Sequence, residues 1–308
     1  MPQVSIGLPV YNGEKYLAGA LESLLAQSFT DFEIVIADNA STDGTARICQ
    51  SYRARDSRIR YFRNARNLGA APNFNRTFKL SSAPLFHCAA DDDLYEPHFL
   101  ERCVDVLARD PRVVLCHTRA RVIGDNGEPL RCQPDQKHFI DSYGDFVMGP
   151  ERDHIGGSSE PEMRFREVLW WSTWCLPLFG VMRRAALGET ALHRHYFGGD
   201  KVLLAEMAFK GRFHQIPDRL FSKRVHRGCT YYKSTREKAE HDFDNPQGIP
   251  QINMLRDYTK MILAADISAG QRLHCLVTVL GMTRRDGLWR RLLVPGPGNY
   301  LGLSFGTK

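Results

Sequence analysis

Over its first 120 residues the chain switches repeatedly between two hydrophobic periods. Short strand-like runs recur at QVSIGLPV (3–10), FEIVIAD (32–38), RIRYFRN (58–64), PLFHCAA (84–90) and RVVLCHT (112–118). Each is bounded by turn residues, as strands buried on both faces are. Between them the apolar residues fall at helical spacing: Leu17, Leu21, Leu24 and Leu25, then Ile48 and Tyr52, then a stretch from Ala71 to Leu80, then Phe99, Leu100, Cys103, Val104 and Leu107. NASTDGT, before the second helix, supplies turn and N-cap residues. Strand, helix, strand, helix requires right-handed crossovers. The pattern predicts an α/β fold, with a mostly parallel sheet covered by helices on both faces. Ligands of such sheets lie outside the carboxyl ends of the strands. Tyr11 and Asn12 follow the first strand, Asp38 and Asn39 the second, and Asp91, Asp92 and Asp93 the fourth.

From Gly124 the pattern loosens. Residues 124–165 are rich in Gly, Pro and charge and read as a loop-rich insertion. GGDKVLLAEMAFKGRF reads as a helix opening at Asp200, with Leu203 and Met207 on one face. LFSKRVHRGCTYY reads as a short strand running into a basic loop, and the last 60 or so residues as helices. A length of 308 residues suggests about two domains. Net charge is +6, but Lys and Arg are dispersed and no RNA-binding motif occurs, so nucleic acid is not the expected partner. An anionic small substrate or a membrane surface suits the balance. None of the eight cysteines forms a C-x-x-C pair, which argues against zinc. Several sit in apolar runs, as free thiols of a reducing cytoplasm do. No signal peptide is apparent, and the longest apolar run, Val168 to Met182, is too short to span a bilayer. No G-x-G-x-x-G follows the first strand, against a dinucleotide enzyme.

The stretch AADDDLYEP (89–97) carries the strongest chemistry. Three consecutive carboxylates repel unless something positive offsets them. Mg²⁺ or Mn²⁺ takes oxygen ligands, and would also bring a diphosphate to the strand end. The other reading is a helix cap at Asp93, which accounts for one acid and not three. Asp200, in GGD, is either a functional acid or an N-cap. His226, in KRVHRG, sits among Lys223, Arg224 and Arg227, cations that attract phosphate.

VSIGLPVYNGEKYLAGALESLLAQSFTDFEIVIADNASTDGT, followed by NLGAAPNFNRTFKLSSAPLFHCAADDDLYEP, resembles glycosyltransferase family 2 with its GT-A fold. The resemblance covers roughly residues 3–118, and more thinly FGGDKVLLAEMAFKGRF and RVH. It implies a GT-A sheet and does not extend to residues 124–165 or to the C-terminal tail; with the helical reading of that tail, the chain divides into a donor half (1–118), an acceptor and catalytic half (119–240) and a helical C-terminal extension (241–308). It implies a metal-dependent, inverting hexosyltransferase using a nucleotide-sugar donor, with a glycan or lipid-linked acceptor in surface polysaccharide biosynthesis. Pro9 and Tyr11 match the loop that packs around the base. Asp91 would contact the ribose and Asp92 the Mn²⁺ or Mg²⁺, with Asp93 behind the metal or facing the acceptor. Asn39 stands where relatives often carry the Asp that accepts from uracil, and an Asn carbonyl can accept that bond too. Uridine therefore leads, with thymidine and guanosine open. Asp38 either contacts the nucleotide or caps the next turn, and Arg66, beside an N-x-G loop near the donor, either binds the nucleotide or is only solvated. His226 would join the metal or the diphosphate, and Asp200 would be the general base. Trp170, Trp171 and Trp174 form either an acceptor platform or core packing. TRRDGLWRRLL, near the C-terminus, reads as a basic interfacial helix at the inner face of a membrane or as a solvated basic face. Two rivals remain. A sugar nucleotidyltransferase would want a Gly-rich basic loop after the first strand, where LPVYNGEKYL has one Gly and one Lys. A glycan-binding homologue without activity would not need Asp92 and Asp200.

Overall fold

The computed structural model describes residues 1–133, 138–229, 232 and 250–285. The chain begins β1 (Val4–Val10), α1 (Leu17–Leu25), β2 (Phe32–Asp38), α2 (Thr45–Arg55), β3 (Ile59–Arg63), α3 (Ala70–Leu80) and β4 (Leu85–Cys88), then β5 (Leu94–Tyr95), α4 (Phe99–Arg109) and β6 (Val113–Ile123). Residues 124–165, read as loop, hold a small antiparallel sheet of β7 (Arg131–Cys132), β8 (His138–Ile140) and β9 (Phe146–Met148), and the start of α5 (Pro161–Trp171). A 3-10 turn (Leu176–Phe179), β10 (Val181–Arg183), α6 (Arg184–Gly188), α7 (Gly199–Lys210) and β11 (Arg212–Arg224) follow, and α8 (Pro250–Ala264) and α9 (Ala269–Arg285) form the helical extension.

The main sheet has the order β3-β2-β1-β4-β10-β6-β11-β5. β1 to β4 pair in parallel, as does β11 with β6. The exceptions are β10, antiparallel to β4 and β6, and the edge strand β5, antiparallel to β11. Every residue of β1 and β2 is buried, and the polar ones find partners inside the fold, Ser5 Oγ donating to Glu33 Oε1 at 2.7 Å. Pro9 is tolerated in so central a strand because the pairing of β1 with β4 stops at Gly7 opposite Cys88. Alternate residues of β1 face β4, so Pro9 falls past the ladder, where no N–H is needed. Gly7 leaves room for α3, since a Cβ there would collide with Thr77 and Phe86.

Two apolar layers cover the sheet. On one face Ile6 and Leu8 pack with Leu17, Leu21 and Leu24 of α1 and Phe99, Leu100 and Cys103 of α4. On the other, Phe86, Leu115 and Met182 meet Phe165, Leu203 and Met207 from α5 and α7, and Tyr258, Ile262 and Val279 from α8 and α9. Trp170 belongs to this second layer and lies against Gly281 of α9, so of the two readings core packing is the one it takes.

Candidate active site

β4 and β6 run parallel, because both oppose β10. β11 follows their direction, and α7 runs back along it to precede it in sequence. The carboxyl ends of β1, β2, β4, β6 and β11 and the N-terminus of α7 therefore share one edge. Cys88, at the end of β4, registers the convergence: burial raises its thiol pKa, the carboxylate of Asp200 raises it further, and Lys223 lowers it.

Two of the three acids of the triplet meet partners from β11 and the loop after it. Asp93 is fully buried, accepting from Lys223 Nζ at 3.0 Å and from the Arg224 amide at 2.9 Å. It therefore clamps β11 to the loop after β4. It is not a helix cap, for α4 begins after His98 with no side-chain cap. Arg224 Nε donates to the Asp92 carbonyl at 2.7 Å, and Nη1 to the carbonyls of Gly124 and Asp125. Arg227 pairs with Asp145 at 2.8 Å. The basic loop expected to attract phosphate thus spends most of its charge on protein acids and carbonyls.

Asp92 and His226 remain turned toward each other, with Nε2 3.1 Å from Oδ2. Gly228 N donates to His226 Nδ1 at 3.1 Å, so Nε2 carries the proton and donates to Asp92. Tyr16 packs on the imidazole, ring centroids 4.6 Å apart, and Asp125 holds the Tyr16 hydroxyl together with Lys15. Burial opposes ionisation of Asp92, but Lys223 and then His226 outweigh it and hold the carboxyl below its ordinary value. Burial, then the charge of Asp92, pushes Asp91 up. Gly13 lies against the Asp91 carboxylate, which a Cβ there would displace. Among the described residues no group of three or more His, Cys, Asp and Glu could hold a metal ion. The fit is a pair, one carboxylate and one imidazole nitrogen, which suits a cation whose other ligands arrive with a diphosphate.

On the donor side, Tyr11 is half-buried at the mouth of β1 and Arg66 is exposed at the rim. Asp38 and Asn39 are both engaged by bonds within the protein. Asp38 is fully buried, with one oxygen accepting from the Ser41 amide at 2.9 Å and the other from the Tyr61 hydroxyl at 2.7 Å. Of its two readings, it takes the turn cap. Asn39 Oδ1 accepts from Asn64 Nδ2 and Leu68 N, while Nδ2 donates to Asn67 Oδ1 and the Gly69 carbonyl. Every position of that amide is filled. Asn39 fastens the N-x-G loop, and could read a base only by surrendering a buried protein bond.

Asp200 stands in the first turn of α7, its side chain 60% exposed. The N-cap is Gly198, at φ 91°, and no side chain caps the helix, so the capping reading fails. Among the described residues its carboxylate bonds to His193 alone, Nδ1 to Oδ1 at 3.1 Å. His193 carried no signal in the sequence, lying seven residues upstream in an irregular segment.

The model of glycosyl transferase family 2 matches residues 5–168, just over half of the chain. The chain belongs to glycosyl transferase family 2. Within the family it is 35% identical over 127 residues to Escherichia coli chondroitin synthase, an overlap of 41% of this chain and 18% of that one. It is 27% identical over 181 residues to the putative teichuronic acid biosynthesis glycosyltransferase TuaG of Bacillus subtilis, covering 56% of this chain and 71% of that one. The matches span 18% to 42% of the length of the first curated relatives. Among solved structures, S. aureus TarS 1–349 in complex with UDP-GlcNAc superimposes with a TM-score of 0.68 at 18% identity, covering 96% of this chain and 76% of that one. The mannosyltransferase PcManGT from Pyrobaculum calidifontis, in complex with GDP-Man and Mn²⁺, gives 0.51 at 15%, covering 93% and 75%. These likenesses establish the GT-A architecture that the family membership implies.

Proposed function

We propose that the protein is a metal-dependent, inverting glycosyltransferase that moves a hexose-type sugar from a nucleotide diphosphate sugar, UDP first among them, to a glycan or lipid-linked acceptor of a surface polysaccharide. The observation that carries this reading is the presence of two acidic centres on one sheet edge: Asp92 beside His226 after β4, and Asp200 at the start of α7, near enough to act on Cys88 at the end of β4. The UDP-GlcNAc of TarS, the GDP-Man and Mn²⁺ of PcManGT and the polysaccharide names of the relatives lend support.

Asp92 Oδ2 and His226 Nε2 would hold the divalent cation, the ring proton passing from Nε2 to Nδ1 and the bond from the Gly228 amide being given up in exchange. Bound there, the metal supplies positive charge against the departing diphosphate. Tyr11 and Pro9 flank the base, and Asp91 lies within reach of the ribose. Asp200 takes the proton of the acceptor hydroxyl as that oxygen attacks the anomeric carbon. The bond from that carbon to the diphosphate oxygen breaks, and the nucleoside diphosphate leaves. A partly exposed carboxylate on the first turn of a helix suits this role, because solvent and acceptor can both reach it.

Asp200→Asn tests the base. The amide keeps the size of the carboxylate and cannot take a proton, so transfer should fall at least ~10²-fold, with UDP affinity unchanged. Near-normal turnover would remove Asp200 from the mechanism.

A further inference from the structure

An exposed carboxylate at a helix start is free to sample several rotamers, whereas proton abstraction depends on a single placement. Among the described residues, His193 is the one neighbour that bonds the Asp200 carboxylate. His193 is itself almost enclosed, its side chain 9% exposed. Its ring stacks on Phe74 at 4.8 Å between centroids. Its backbone is gripped both ways by the Asn75 side chain: His193 N donates to Oδ1 and Asn75 Nδ2 donates to the His193 carbonyl, each at 2.9 Å. Leu192, just before it, sits in the left-handed region at φ 58°, a conformation a leucine keeps only where its surroundings enforce it.

Phe74 and Asn75 lie on α3, which opens at the Gly69 loop fastened by Asn39. The same helix is pinned to β2 by Asn73, whose Nδ2 donates to the Ala37 carbonyl at 2.8 Å. The element that frames the donor loop thus also fixes the imidazole facing Asp200.

We propose that His193 is a positioning residue that orients the Asp200 carboxylate by donating from Nδ1, and that α3 sets both this orientation and the donor loop. The inference rests on the reading of Asp200 as the base. The bond needs the Nδ1–H form of the ring, since a carboxylate only accepts.

Three variants of the full chain separate the possibilities. His193→Asn places an amide N–H near the position of Nδ1. His193→Gln carries the donor one bond too far, and His193→Ala removes it. With Mn²⁺ and an equimolar mixture of UDP-glucose, UDP-N-acetylglucosamine and GDP-mannose, release of nucleoside diphosphate should lose ~10-fold or more in kcat for Ala and Gln. KM should move less than about twofold, and Asn should recover most of the rate. Independently of turnover, ¹⁵N-histidine spectra should show His193 protonated at Nδ1 in the wild type and altered in Asp200→Ala. Normal kcat in Gln and Ala beside a dead Asp200→Asn overturns the positioning role and leaves the base standing. So does an effect confined to KM, or a ring protonated only at Nε2. Full turnover in Asp200→Asn removes the base, and this inference with it.

Discussion

Asp92 and Asp93 are neighbours in sequence with separate tasks, because successive side chains here point to different places. Asp93 turns inward onto Lys223 and the Arg224 amide, while Asp92 faces the crevice and His226. Asp92→Asn should therefore leave the unliganded melting temperature nearly unchanged and abolish stabilisation by UDP with Mn²⁺. For the wild type that stabilisation is about 2.7 kcal/mol when UDP is present at a hundred times its Kd. A Mn²⁺-dependent shift that survives the substitution would count against Asp92 as a ligand. At this scale the sequence showed which residues gather at the strand ends and little of how their bonds are spent. Asn39 and Asp38 look like ligands in one dimension, because an amide and a carboxylate advertise hydrogen bonding without naming the partner. The partners, Asn64, Leu68, Ser41 and Tyr61, become visible only when the loops fold over them.

Among elements, β4 and β6 each carry a histidine at their buried centre. Burial pushes His87 and His117 down to about 4 from the ordinary 6.5. The unfolded chain takes up these protons as the pH falls through 6.5, whereas the fold resists them until about 4. Their contribution is therefore complete above pH 6.5 and is lost as the pH falls toward 4. Each unit of such a shift is worth about 1.4 kcal/mol, so the loss is on the order of several kcal/mol. Melting curves between pH 7 and pH 4 should show it, with a shallower fall for His117→Phe. Equal slopes would place the acid sensitivity elsewhere. The helices and strands of the first third were legible because each holds a full period of apolar residues: α4 buries Phe99, Leu100, Cys103, Val104 and Leu107, as its spacing demands. β5 and β10, two and three residues long, are too short to show any period. β6 and β11 extend past their apolar stretches because each supplies the other with a partner, which only the assembled sheet provides.

On the scale of the whole molecule, α9 leaves an apolar stripe uncovered. Leu273, Val277 and Leu280 are 63%, 58% and 55% exposed on one side of the helix, with Arg284 next along it. Trp289, Arg290 and Arg291 lie outside the described residues. No described helix is long and apolar enough to cross a membrane. Liposome co-sedimentation should show binding to anionic vesicles that weakens as salt rises, in keeping with a contact made partly by arginine. Equal partitioning to neutral and anionic vesicles would count against it. All eight cysteines are free, and six of them are buried. The insertion of β10 between β4 and β6 has a consequence for how this molecule is made. Residues 4–123 leave the ribosome carrying four parallel strands and β6, yet the strand that joins them is 58 residues further on, at Val181. Until it arrives, β4 and β6 are open edges, the kind that pair with the wrong chain. Closure must then be a late event across a long loop, slow by its topology. The nascent chain is most exposed to chaperones, and to aggregation, in the interval of synthesis between β6 and β10.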